Sequence, residues 1–86
     1  MNKELLNQIA AEFSESDYEK AISEMQTLTL KYVMANCQTN LDNTWKAIIE
    51  LSNGDLEKLK ELVEAAKIDF RDVIYWATLE KEKEKS

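Results

Sequence analysis

An all-α fold, a small bundle of four to five short amphipathic helices, is what this chain predicts, and three observations predict it. Apolar residues recur at three- and four-residue steps along most of the 86 residues. Proline is absent and Gly54 is the only glycine, so little interrupts a helical run. The one clear break, Ser52-Asn53-Gly54-Asp55, separates two such runs. Glycine just past a helix end accepts the left-handed backbone that terminates helices, and an aspartate beside it caps the next one.

The first helix is expected over about residues 3–13, with Leu5, Leu6, Ile9, Ala10 and Phe13 on one face. Ser14-Glu15-Ser16-Asp17 breaks that pattern. Ser16 and Glu19 have capping-box spacing, so the second helix is expected to start at Ser16. Tyr18, Ala21, Ile22, Met25, Leu28, Thr29 and Tyr32 carry it onward, while Leu30, Met34 and Cys37 lie off its stripe. Residues 27–34 also alternate as a strand would, but no second strand exists to take up the backbone hydrogen bonds.

The stretch 36–43 is rich in Asn, Gln, Thr and Asp, residues that favour turns and caps. The third helix is expected after it, over about residues 41–52, with Leu41, Trp45, Ile48, Ile49 and Leu51 inward. A fourth begins at Asp55 and buries Leu56, Leu59, Leu62, Val63 and Ala66. From there the pattern allows two outcomes. Leu56, Leu59, Val63, Ala66, Phe70, Val73, Ala77 and Glu80 hold one heptad register, which suits a single helix of about thirty residues. Asp69 and Asp72, at N-cap and N3 spacing, favour instead a tight turn near residues 67–69 and a fifth helix from Phe70. The domain occupies residues 1–80, and the charged tail 81–86 is expected to fray.

The run Asn53-Gly54-Asp55-Leu56-Glu57-Lys58-Leu59-Lys60-Glu61-Leu62-Val63-Glu64-Ala65 resembles the inner part of an ankyrin repeat. The Thr-Pro-Leu-His signature of that family is missing and no second copy follows. Stacked repeats need at least about three units to bury a core, so the likeness is one of helix-start chemistry.

Composition narrows the function classes. A net charge of −6 disfavours nucleic-acid phosphates and anionic lipid as partners and permits a basic protein. No apolar run approaches the ~20 residues that span a bilayer, and the N-terminal residues lack a signal-peptide pattern. One cysteine, Cys37, makes no internal disulfide, which fits a cytoplasmic setting. Its thiol would act as a nucleophile only beside a cation or a helix N-terminus, and reads as buried or incidental. Histidine, the commonest general base and metal ligand, is absent. The carboxylate pairs Asp69/Asp72 and Glu61/Glu64 read as caps and solvated surface. A single glycine also precludes a glycine-rich phosphate loop. No catalytic, cofactor-binding or metal-ligating residue is therefore expected.

The informative constellation is in the last helix. With Phe70, Val73, Ile74 and Ala77 turned inward, Tyr75, Trp76 and Leu79 project the other way, and aromatic residues there suit a protein contact. The expected function is that of a small non-enzymatic protein that binds another protein or itself, with a homodimer on the last helix as one form. Two alternatives stand beside it. One is a carboxylate- and metal-dependent enzyme with a site in the bundle core, although the Glu-x-x-His motif such sites use cannot occur here. The other is an inhibitor or immunity-type protein that meets a basic partner through Glu12, Glu15, Asp17 and Glu19. Helix-turn-helix DNA binding is disfavoured, because Glu57, Glu61 and Glu64 interleave with Lys58, Lys60 and Lys67.

Overall fold

Four helices and one 3₁₀ turn carry these patterns into three dimensions. The computed structural model describes residues 1–33 and 37–85, with side chains to residue 83. In chain order come α1 (Lys3–Glu12), α2 (Glu15–Gln26), the 3₁₀ turn (Leu30–Tyr32), α3 (Gln38–Ser52) and α4 (Leu56–Lys85), and no strand occurs among the described residues. The fold is all-α, as the periodicity predicted. α4 is the hub: its broadest contact is with α3 and it also meets α2 and the 3₁₀ turn, while α1 lies against both α2 and α3.

Each boundary has a local cause. Asn2 opens α1 by accepting the Leu5 N–H on its side-chain oxygen at 2.9 Å. α2 starts at Glu15, one residue before the expected Ser16. Ser14 holds the cap position through its carbonyl, which accepts the N–H groups of Asp17 and Tyr18, and its hydroxyl meets that of Ser16. The capping box is thus not what starts this helix. α2 also stops earlier than its stripe suggested. The Thr27 hydroxyl donates to the Glu24 carbonyl at 2.7 Å, and the chain then turns so that Leu28 and Val33 are buried while Thr29 and Leu30 face outward.

α3 begins three residues ahead of the expected Leu41. The polar residues there support the helix instead of breaking it, through Gln38 donating to Asp42 and the Thr44 hydroxyl donating to the Asn40 carbonyl. Met34 and Asn36 lie outside the described residues. Trp45 is nearly fully buried and its indole N–H donates at 3.0 Å to the buried Met25 carbonyl, which also accepts the Leu28 N–H at the end of α2.

Between α3 and α4 two consecutive residues take left-handed backbone, Asn53 at φ 50° and Gly54 at φ 81°. Asp55 then caps α4 by accepting the N–H groups of Glu57 and Lys58. A Cβ on Gly54 would stand 2.6 Å from the Glu12 carbonyl oxygen, so the turn is seated directly on the end of α1.

α4 is broken once. Asp69 has φ −154° and ψ 103°, which divides the helix into a first limb (56–68) and a second limb (70–85). That is the expected turn, shortened to one residue. Its carboxylate oxygen accepts the Arg71 N–H at 3.0 Å, the bond of an N-cap. An unbroken helix of 30 residues would run roughly 45 Å at 1.5 Å per residue, whereas the longest principal dimension is 34 Å. Helical geometry continues through Lys85, and Lys81 reaches Glu50 on α3 at 3.4 Å.

One apolar core unites the elements: Leu5, Ile9, Met25, Leu28, Trp45, Ile48, Ile49, Leu59, Val63 and Val73 are among its buried members, with Leu56 and Phe70 half-buried at its edge. Leu59 is wholly buried, so Leu59→Ala should lower the unfolding free energy by about 2–5 kcal/mol in a denaturant titration. An unchanged midpoint would mean that the inward face is assigned wrongly. Gly54→Ala should cost at least about 2 kcal/mol, since alanine meets both the left-handed backbone and the immovable Glu12 carbonyl. Asn53→Gly, measured alongside, should be near neutral or slightly stabilising, because asparagine already occupies a conformation that glycine prefers.

Candidate protein-binding face on the second limb of α4

The second limb has two apolar faces, and only one is covered. Val73 and Ala77 are buried, and Phe70 and Ile74 pack half-buried against the core. At 100° per residue, Asp72, Tyr75, Trp76, Leu79 and Lys83 fall within about a quarter to a third of the opposite circumference. There Tyr75 is 60% exposed, Trp76 40% and Leu79 36%. The structure therefore brings the three sequence-identified residues together on one outward strip. The strip is flanked by charge: Asp72 at its start, Lys83 near its end, and Glu80 and Glu82 alongside. Lys83 also lies 3.8 Å from Glu80, one turn away.

The start of the limb is held by two neighbours. Arg71 returns along the turn and donates Nε at 3.0 Å and Nη2 at 3.1 Å to the two oxygens of Asp69. These side-chain bonds, followed by the Arg71 backbone N–H, hold the Asp69 carboxyl below the usual carboxylate range. On the other side of the break, the Lys67 ammonium sits 6.0 Å from the Tyr32 ring centre and Lys31 sits 5.0 Å from it, which ties the kink to the 3₁₀ turn. Ile68, the last residue of the first limb, is left 89% exposed beside it. Ile68 falls opposite Leu59, Val63 and Ala66 in the register of the first limb, so its exposure follows from that register, although it was not singled out in the sequence.

Concavities among the described residues lie elsewhere. A cleft of about 510 Å³ between the ends of α1, α3 and α4 is lined by Glu12, Glu50, Asn53, Lys58, Glu80 and Lys81. Partial desolvation against its wall, and then the Glu50 carboxylate, push the Glu12 carboxyl above its ordinary value although its outer side meets solvent. A smaller groove of about 330 Å³, lined by Leu28, Leu30, Leu41 and Trp45 among others, runs beside the 3₁₀ turn. Among the described residues no three His, Cys, Asp or Glu side chains are grouped to hold a metal ion. No described helix is long and apolar enough to cross a membrane.

Cys37 departs from its sequence reading. It directly precedes α3, and the backbone N–H groups of Asn40 and Thr39 at the helix start lower its thiol from the ordinary value. The side chain is half-exposed, not buried. The earlier start of α3 is what puts a helix N-terminus beside it.

Of the acidic candidates, Glu12, Glu15 and Glu19 are exposed and Asp17 is half-exposed. They surround the α1–α2 junction, whereas the apolar strip lies on α4. Compared with family models, curated proteins and solved structures, the chain has no match.

The Asp69 cap gives the limb a pH signature. Its folded pKa is depressed, so its contribution to stability is present above the unfolded value of about 3.9 and disappears as pH falls through the folded one. Asp69→Asn should melt below the wild type at neutral pH, and the gap should close in thermal scans taken at progressively lower pH. A gap independent of pH would assign the cap to the amide-compatible hydrogen bond alone.

Proposed function

We propose that this protein is a non-enzymatic interaction module of the cytoplasm, which binds a protein through Tyr75, Trp76 and Leu79 on the second limb of α4. The observation that carries the proposal is the exposed aromatic strip on a helix whose opposite face is already committed to the core. A helix that packs one face on a core needs no second apolar side; a contact surface does. Tyrosine and tryptophan place large, stiff apolar area at low conformational cost, and such residues dominate the binding energy of protein contacts.

The limb is also suited to present them. The Asp69–Arg71 bonds fix its start, and the Lys81–Glu50 pair joins its later turns to α3. A strip on a helix held at both ends loses little freedom on binding. A partner needs only a complementary apolar groove or helix face.

The test is photo-cross-linking in cells with a benzophenone amino acid in place of Tyr75, and in place of Glu19 on α2 as a control. A discrete adduct is expected from position 75, absent from position 19, and lost when Trp76→Ala is added. That substitution should cost ≥ ~2 kcal/mol of binding and leave the helical circular dichroism intact. Adducts of equal yield from both positions, or none from position 75, would remove the strip as the binding surface.

A further inference from the structure

We propose that the occupant of this strip is a second copy of the chain, with the two second limbs packed antiparallel about a two-fold axis. The inference rests on the reading of Tyr75, Trp76 and Leu79 as a binding face. What it adds is the partner, and the argument is the order of charge along the limb.

Place two such limbs side by side in opposite directions, with the axis between residues 77 and 78. Trp76 of one copy then meets Leu79 of the other, and the same contact repeats across the axis. One and a half turns outward on either side, Asp72 of one copy meets Lys83 of the other. The strip thus becomes self-complementary: an apolar centre of two Trp76–Leu79 contacts, closed at each end by an Asp72–Lys83 pair. Two-fold contacts require that the residue pairing be reciprocal, and the Trp76–Leu79 and Asp72–Lys83 pairs meet that requirement, while Tyr75 lies level with Glu80 of the second copy. A parallel arrangement sets Asp72 against Asp72 and Lys83 against Lys83, and is opposed by both.

Charge also favours a copy over a basic partner at this site. The chain as a whole carries −6, and on the strip Asp72 and Lys83 cancel each other between the flanking Glu80 and Glu82. A cationic protein would be drawn to the acidic surface at large and would meet Lys83 here as a repulsive group. A second copy meets it with Asp72. Repulsion between two acidic chains acts over longer distance and is screened within about 8–10 Å at ordinary salt.

The contact is small. The second limb is roughly 24 Å long, and one helix against one helix buries less than the ~800 Å² per partner of a stable complex. The dimer is accordingly weak and concentration-dependent. Ile68, outside the limb and highly exposed, lies beyond the paired register and takes no part.

Sedimentation velocity from about 1 μM to about 1 mM reads the affinity directly. The wild type should pass from monomer to dimer across that range, and Trp76→Ala should stay monomeric with unchanged circular dichroism. Asp72→Lys and Lys83→Glu, both on exposed residues that the core does not use, should each weaken the dimer about five- to tenfold at low salt. The double variant Asp72→Lys/Lys83→Glu restores opposite charges across the axis, and its affinity should return to within about twofold of wild type. A double variant no tighter than the singles would overturn the antiparallel register. A wild type that stays monomeric at every concentration would overturn self-association altogether. The adduct at position 75 then separates the two ideas: one of heterologous mass leaves the binding face standing without the copy, and an absent adduct removes both.

Discussion

The turn at Asn53 and Gly54 is the constraint on which the rest of the molecule depends. Two successive left-handed residues reverse the chain between α3 and α4, and those two helices make the broadest contact in the fold. The same turn rests on the last carbonyls of α1, close enough that no side chain fits at position 54. One short segment thereby fixes three helices relative to one another. In a chain this small the core has little area to spare, so a local strain at the turn is felt in the whole domain.

From that anchor the position of the aromatic strip follows step by step. The first limb of α4 lays Leu59, Leu62, Val63 and Ala66 into the core. Without the break at Asp69 the helix would leave the bundle as a straight rod. With it, the second limb returns Val73 and Ala77 to the core, and Tyr75, Trp76 and Leu79 are necessarily turned outward. The exposed strip is a geometric consequence of burying the other face. Its aromatic content is not: Glu, Lys or Gln would serve the helix equally well at those positions. Local stability therefore accounts for where the strip is, and not for what it is made of.

How much of this was legible in the sequence varies with the kind of signal. Periodic apolar spacing identified the helices and the core face, because burial selects side chains at 3.6-residue steps. Gly54 and Asp55 announced the α3–α4 turn through backbone freedom and capping. The break at Asp69 was visible only as spacing between two aspartates, since no proline or glycine marks it. Arg71, whose two side-chain bonds complete that cap, carried no signal of its own. Boundaries governed by side-chain hydrogen bonds were read less well. Gln38, Asn40 and Asp42 look like loop residues by type, yet pair within the first turns of α3. Cys37 was read as a buried or incidental thiol for the same reason, because its helix begins three residues sooner than the one predicted at Leu41. Around the strip, Tyr75, Trp76 and Leu79 could be found by subtraction, as apolar residues left over once the core face was assigned.

The charges on the strip acquire meaning only when two limbs are considered together. Within one chain Asp72 stands in the first turn of the limb beside Arg71, and Lys83, eleven residues on, lies 3.8 Å from Glu80 across one turn. The helix dipole favours an acid in the first turn of the limb and a base in its last, but it does not require that the two lie at equal distances from the apolar centre. A reciprocal contact does, because opposite charges at equal distances from the apolar centre attract only when the copies run in opposite directions. Apolar residues alone set how strongly two surfaces adhere and leave their register open; flanking charges select one register among several. The strip carries both parts. It has Trp76 and Leu79 for adhesion with Tyr75 beside them, and an acid and a base placed symmetrically about the Trp76–Leu79 pair to decide orientation.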